Sequence, residues 1–225
     1  VWGSGRKEYS AMKLTLMLMG GSALLLCGIL GIYFGAGAQT MNLHEIAALH
    51  NIPLSQQYIW FPMVFVGFGV LGALFPFHTW VPDAYAYSTP TSAAVLSSLV
   101  SKGYIFLLMK IMYRVIGLDV IVSTGIQDVL FVFALVGMVM GSISAIRQTD
   151  IRRMIAFSSV AQIGYVFMGI GLGTDEGMMA ATFHIFSHAV CKSMLFLAAG
   201  GLADASNNSK KFRDLRGAGF RSPIA

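Results

Sequence analysis

Residues 178–202 read MMAATFHIFSHAVCKSMLFLAAGGL, a run that contains no Asp, Glu or Arg. A helix needs about 20 predominantly apolar residues to cross a bilayer, so this stretch predicts a membrane-spanning helix. Five further stretches meet that length, at residues 14–34, 58–77, 93–118, 128–146 and 154–172. They lack the alternation of apolar and polar residues that is typical of membrane β-barrels. The sequence therefore predicts an all-α, polytopic bundle of about six transmembrane helices.

The composition of the whole chain agrees with this fold class. Hydrophobic residues make up 56% of the 225 residues and charged residues only 11%, with a mean hydropathy of +0.71. These values exclude a soluble globular domain, for which about 25% charged residues is usual, and a disordered chain. No linker or repeat divides the sequence, so residues 1–225 are predicted to form a single transmembrane domain. Because an apolar run could begin at the last residues, we expect a partial domain whose N- and C-terminal helices are missing.

The distribution of charge predicts the orientation in the membrane. The net charge is +5. No basic stripe with interleaved aromatic residues is present, so a nucleic-acid partner is not expected. If the six stretches all cross, the side of the N-terminus receives eleven Lys and Arg residues, and the opposite side receives two, Lys110 and Arg114. The positive-inside rule then predicts a multi-pass protein of the inner cell membrane with both ends of this chain in the cytoplasm.

Lys102 and Lys192 lie inside predicted spans, too deep to reach the interface by their own length. A charge at the bilayer centre costs at least about 2.5–3.5 kcal/mol, so each lysine is expected to face protein or water. His184, His188 and Lys192 recur at every fourth residue and so share one stripe of a helix, about 12 Å long. Such a row predicts a proton path, although a structural role for each group stays open.

The same histidines and the two cysteines could in principle serve other kinds of site. The His184-x3-His188 spacing suits zinc, but no third ligand is evident. Haem would need a facing axial ligand, and His78 stands at the end of a span. Cys27 and Cys191 cannot hold an iron–sulfur cluster, and no Gly-rich nucleotide motif occurs. We therefore predict no catalytic residue, metal or cofactor in this chain.

Pro76 closes the second predicted span. Because proline removes a backbone hydrogen bond, this position predicts a broken or kinked helix there, the alternative being a simple helix end. His78, and Ser187 near the histidine stripe, are further candidates for lining a polar path. No carboxylate lies in the middle of any span, so the two lysines lack an obvious counter-ion in this chain.

Three motifs, in order along the chain, carry a resemblance to a known family. They are FPFHTWVPDA (75–84) with STPTSA (88–93) and SKG (101–103), then DIRRMIAFSSVAQIGY (150–165), and finally the histidine–lysine stripe continued by LFLAAG (184–200). Together they resemble the antiporter-like subunits of respiratory complex I. The same subunits occur in Mrp-type sodium/proton antiporters and in membrane-bound hydrogenases.

This resemblance implies a bundle of about fourteen helices with two inverted five-helix repeats. It places Lys102 and Lys192 at proton-path lysines, and His184 and His188 at the histidines that connect them. It also reveals a departure, because the family usually has a lysine where this chain has Leu71. One half-channel is therefore expected to be incomplete or to work differently.

The function implied is translocation of protons, or of protons against sodium, by a subunit that associates with other membrane subunits in the lipid bilayer. The complex would be an NADH-quinone oxidoreductase, a hydrogenase or an Mrp antiporter, and any redox chemistry would belong to its other subunits. Two rival hypotheses stay open. One is a non-conducting structural subunit of such a complex, and the other is a stand-alone secondary transporter.

Overall fold

The computed structural model describes residues 3, 5–40, 42, 45–46 and 53–221, which are helical nearly throughout. The helices are α1 (Lys7–Gly35), α2 (Leu54–Leu71), α3 (Val81–Tyr87), α4 (Pro90–Ile116), α5 (Leu118–Thr124), α6 (Ile126–Ile146), α7 (Ile151–Gly171), α8 (Asp175–Asp204) and α9 (Ala218–Arg221). A short 3-10 helix, Phe77–Trp80, precedes α3. The part of the chain that is described contains no β-strand, and the predicted all-α class is confirmed.

Five helices of the described residues are long and apolar enough to cross a membrane, namely α1, α4, α6, α7 and α8. Six spans were predicted. The remaining one, residues 58–77, corresponds to α2, which has 18 residues and is about 27 Å long. Its first turn carries Gln56 and Gln57, and it ends at Leu71 rather than at Phe77, so its apolar part is shorter than the sequence suggested. The multi-pass membrane architecture is nevertheless confirmed.

The expected helix break begins four residues before Pro76 and includes it. The chain leaves the helix after Leu71, turns through Gly72 and Ala73, and becomes helical again at Phe77. Ala73 has a φ of 64°, a left-handed conformation in which a right-handed helix does not continue. The interruption therefore spans residues 72–76 and connects α2 to the 3-10 helix and α3.

Helix α7 lies at the centre of the bundle. Two thirds of its most apolar stretch is buried (67%), against 28% in α1 and α6. It packs on α6, α8 and α3, while α8 also packs on the first half of α4, and α1 pairs with α2. Small residues permit the close approach of α6 to α7, since a Cβ added at Gly141 would lie 2.7 Å from the backbone nitrogen of Ala161.

Several connecting segments meet at one end of the bundle, which we call the basic end. The carboxylate of Asp83 forms an ion pair with the ammonium of Lys13 in α1, at 2.7 Å. The guanidinium of Arg153 in α7 lies 3.8 Å from the same carboxylate. The Lys210 ammonium, beyond α8, donates to the carbonyl of Ala86 at 3.1 Å. The segments that the charge count assigned to the cytoplasmic side thus share one end. The orientation of this end in the membrane stays a prediction, and residues 1, 2, 4 and 222–225 lie outside the described residues.

Candidate functional site

The contact between the start of α4 and the last turns of α8 fixes how the buried charges align. A Cβ added at Gly200 would lie 2.8 Å from Pro90, so the two helices nearly touch there. From this contact α4 runs away from the basic end, whereas α8 runs toward it. Lys102 is twelve residues beyond Pro90, and His188 is twelve residues before Gly200. Both therefore lie about 18 Å from the contact, at a similar depth.

Lys102 is 5% exposed and is held by its own helix. Its ammonium donates to the carbonyl of Ser97 and, at 3.4 Å, to the hydroxyl of Ser101. Ser97 belongs to a π-helical turn, Leu96–Val100, in which the regular hydrogen-bond ladder is interrupted. Ser97 and Ser101 are themselves fully buried. The π turn thus supplies oxygen atoms to a charge that lipid could not solvate.

Lys192 is 3% exposed and reaches across to α7. Its ammonium donates to the carbonyl of Ile155 at 3.1 Å and to the hydroxyl of Ser158 at 2.5 Å. The same carbonyl accepts from the hydroxyls of Ser158 at 2.9 Å and Ser159 at 3.0 Å. A small polar cluster therefore surrounds this lysine at the interface of α7 and α8.

The two histidines of α8 stack on one another. Their ring centroids are 6.1 Å apart with an interplanar angle of 14°, and His184 also packs edge-on against Tyr165 at 5.9 Å. His188 is 3% exposed, and neither of its ring nitrogens has a hydrogen-bond partner among the described residues. A neutral imidazole has one donor and one acceptor nitrogen, and both of these positions on His188 are without a partner in the described part of the chain.

The four groups are coupled electrostatically. The charge of Lys102 acts on both His184 and His188, and the charge of Lys192 acts on His188 and on Lys102. Across the described residues, ion pairs within 4.0 Å occur only around Asp83 at the basic end. Neither Lys102 nor Lys192 therefore has a carboxylate partner among the described residues. The described part of the chain also contains no group of three His, Cys, Asp or Glu side chains that could hold a metal ion.

Two of the other predicted residues lie apart from this cluster. Ser187 is exposed on the outer face of α8, because it precedes His188 by one residue and so points about 100° away from the buried stripe. It does not line the buried groups, contrary to expectation. His78 stacks on Phe75 at 5.3 Å in the segment before α3. Its pKa is lowered by burial and, to a smaller extent, by the charge of Lys13.

Tyr85 of α3 is a buried polar residue that the sequence did not single out. Its hydroxyl lies 3.4 Å from the carbonyl of Leu96, at the start of the π turn of α4. The ring packs edge-on against Trp80 at 6.0 Å and Phe196 at 5.6 Å. Burial raises the pKa of Tyr85, so its side chain stays a neutral hydrogen-bond donor. No spacing pattern could have revealed this role, because the contact joins two different helices.

Residues 1–225 match the model of a protein family, the NADH:quinone oxidoreductase/Mrp antiporter transmembrane family. The chain belongs to this family. It is 33% identical to the NADH-quinone oxidoreductase subunit N of Desulforudis audaxviator, over 90% of the chain and 40% of that protein. It is also 33% identical to the subunit M of Rickettsia typhi, over 100% of the chain and 44% of that protein. The chain thus spans less than half the length of these relatives.

Two solved structures have the same fold. The chain aligns with the membrane-bound sulfane sulfur reductase, an archaeal respiratory membrane complex, with a TM-score of 0.86 and 30% identity. This alignment covers 94% of the chain and 42% of its counterpart. An Mrp complex from Dietzia sp. aligns with a TM-score of 0.76 and 24% identity, over 90% of the chain and 36% of its counterpart. The antiporter-like membrane architecture expected from the motifs is confirmed.

The position at which the resemblance implies a lysine is fully apolar. Leu71, at the end of α2, is 1% exposed. A Cβ added at its neighbour Gly72 would lie 3.0 Å from Ile105 and 3.4 Å from Phe167. The end of α2 thus packs tightly against α4 and α7, among hydrocarbon side chains.

Proposed function

We propose that the chain is part of an ion-translocating subunit, which works with other membrane subunits in a complex I-like or Mrp-like assembly. The ions are protons, or protons exchanged for sodium. The observation that supports this proposal is the cluster of Lys102, His184, His188 and Lys192 between α4, α7 and α8, buried or half-buried and without a carboxylate contact in the described residues. We also propose that the basic end faces the cytoplasm, in agreement with the positive-inside rule.

In this proposal ions move through changes of protonation, with no covalent chemistry. A proton added to Lys102 or Lys192 is stabilised by backbone carbonyls and serine hydroxyls that already point at each ammonium. Charges interact strongly in a low-dielectric interior, so protonation of one lysine disfavours protonation of its neighbours. His188, on which the charges of both lysines act, and His184, which stacks on it, pass the proton between the lysines. We assign any redox step and its cofactors to the other subunits.

A second candidate function is that of a membrane scaffold that conducts no ions. The observation in its favour is the apolar packing around Leu71, where the family resemblance implies a lysine. A scaffold would, however, retain two buried lysines at a cost of several kcal/mol without using them. We therefore place translocation first.

The test is proton uptake into vesicles that contain the full-length complex. Lys102→Ala and Lys192→Ala are compared with wild type and with Lys110→Ala. The control removes an exposed lysine of the same α4 helix, eight residues from Lys102. We expect each buried variant to lose uptake by at least about tenfold, while Lys110→Ala retains it. Assembly of every variant is checked by native electrophoresis before uptake is compared.

The outcomes separate the two candidates. Loss of uptake in assembled complexes with Lys102→Ala and Lys192→Ala, but not Lys110→Ala, supports translocation through the cluster. Uptake at the wild-type rate in both buried variants overturns the proposal and favours the scaffold. An Arg substitution at Lys102 adds a second criterion, since arginine keeps the charge but does not release its proton. If protonation changes carry the ion, Lys102→Arg is as inactive as Lys102→Ala.

A further inference from the structure

A cavity of about 450 Å³ opens at the basic end, at a distance from the buried lysine–histidine cluster. Pro90 and Gly200 lie in its wall, at the contact between α4 and α8. Charged side chains that line it are Lys7, Arg152 and Lys210, together with one carboxylate, Asp204. The lining therefore carries three positive charges and one negative charge, and nothing in the proposed translocation uses it.

Arg152 is the most deeply buried of these side chains, with 2% exposed. One of its guanidinium nitrogens, Nη2, donates to the carbonyl of Tyr85 at 2.9 Å. Its Nε is buried and has no hydrogen-bond partner among the described residues. A buried guanidinium with an unused donor is costly unless an acceptor is supplied, and the oxygens of phosphate and carboxylate groups are acceptors that match its forked geometry.

Lys210 adds a second cation to the same wall. Its ammonium donates to the carbonyl of Ala86 at 3.1 Å. Its pKa is lowered first by burial and then by the charge of Arg152, whereas Asp150 acts in the opposite direction. Two cations thus repel each other across this wall. Asp150 offsets part of this repulsion, and an anion bound in the cavity would offset more of it.

We propose that this cavity binds a phosphate oxyanion, supplied either by the headgroup of an anionic phospholipid or by free phosphate. The volume is about fifteen times the roughly 30 Å³ that one water molecule occupies in the liquid, so a phosphate group has room to enter. Basic pockets between transmembrane helices are suited to anionic headgroups. Asp204 also lines the cavity, but its side chain is exposed, so its repulsion toward an anion is screened by solvent. This proposal does not depend on ion translocation.

The test measures phosphatidylglycerol bound to the delipidated full-length protein in dodecyl maltoside micelles, by native mass spectrometry. The variant Lys7→Gln/Lys210→Gln removes two cations of the cavity. The matched control Arg213→Gln/Arg216→Gln removes two exposed cations beyond α8, outside the cavity. Each basic residue near a membrane surface strengthens binding of an anionic lipid several-fold. We expect the cavity variant to bind at least about tenfold more weakly, and the control to change by less than twofold.

Inorganic phosphate, added as a competitor, identifies the source of the oxyanion. If millimolar phosphate leaves phosphatidylglycerol bound, the site selects a lipid headgroup. If phosphate displaces the lipid and by itself raises the melting temperature of wild type but not of the cavity variant, the site selects free phosphate. Equal binding in the cavity and control variants overturns the proposal. The single variant Lys7→Gln is a second test that is not expected to disturb folding, because Lys7 is exposed. If the proposal holds, Lys7→Gln must also weaken lipid binding, as the double variant does.

Discussion

Replacement of Gly141 by alanine tests the close contact between α6 and α7, on which the position of the Lys192 partners depends. The new Cβ would lie 2.7 Å from the backbone nitrogen of Ala161, and 3.1 Å from its Cα. Ordinary contacts of this kind begin at 3.4 Å. The helices must therefore separate by about 0.7 Å, since backbone atoms cannot rotate away. Gly20→Ala in α1 is the matched control, because no atom lies within 4 Å of its added Cβ.

The expected magnitude follows from two opposing effects. Overpacking a tight contact costs about 1–3 kcal/mol, and the upper part of that range applies because the obstacle is backbone. Alanine in place of glycine within a helix raises the free energy of unfolding by about 1 kcal/mol. Gly141→Ala should therefore lower the free energy of unfolding by about 1–2 kcal/mol. Gly20→Ala should raise it by up to about 1 kcal/mol.

The assay is thermal unfolding of the full-length protein in dodecyl maltoside, followed by intrinsic tryptophan fluorescence. We expect a melting temperature a few degrees below wild type for Gly141→Ala and at or above wild type for Gly20→Ala. The shift of α7 should also slow proton uptake, because α7 carries the oxygen atoms bound to Lys192. A melting temperature for Gly141→Ala equal to that of Gly20→Ala would refute the proposed tight contact.

Three further predictions concern polar contacts. Ser158→Ala should slow proton uptake by about tenfold, because the ammonium of Lys192 loses an oxygen at 2.5 Å and hydrogen bonds to charges contribute about 1.5–3 kcal/mol. Asp83→Asn should lower the free energy of unfolding by about 1–2 kcal/mol, since Lys13 loses its partner at 2.7 Å; thermal melting measures the loss. Burial lowers the pKa of His78 below its usual 6.5, so near and below pH 6.5 the unfolded chain binds more protons than the folded one. The contribution of His78 to the free energy of unfolding should therefore be fully present above pH 6.5 and be lost as the pH falls. Melting curves recorded against pH measure this loss.

Each of these predictions has a control. Ser158→Thr retains a hydroxyl and should restore most of the uptake; equal loss in both variants would contradict the assigned contact. The deficit of Asp83→Asn should shrink in 1 M salt, because salt screens the partly exposed pair, and a deficit independent of salt would show that the ion pair is not its cause. His78→Phe should remove part of the stability loss at acidic pH. An unchanged pH profile would contradict the role of this histidine.

Much of the site was accessible from local patterns. The spacing of His184, His188 and Lys192 fixes their common stripe on any helix, and the structure stacks the two rings. The cost of a charge in hydrocarbon required that Lys102 and Lys192 be covered by protein, and both are buried. The same reasoning did not extend to Ser187, because proximity in sequence says little about which face of a helix is buried. Whether these residues conduct ions stays a prediction.

The sequence by itself determined the class of the molecule, its membrane character and the depth of its buried charges. These properties depend on composition and on periodicity within one segment, and both are local. Tertiary structure alone decided which oxygen atoms of α7 hold Lys192, that Tyr85 contacts the π turn beside Lys102, and that distant segments form a basic cavity. Each of these features joins residues far apart in the chain. Their proximity depends on how whole helices pack, which no single segment specifies.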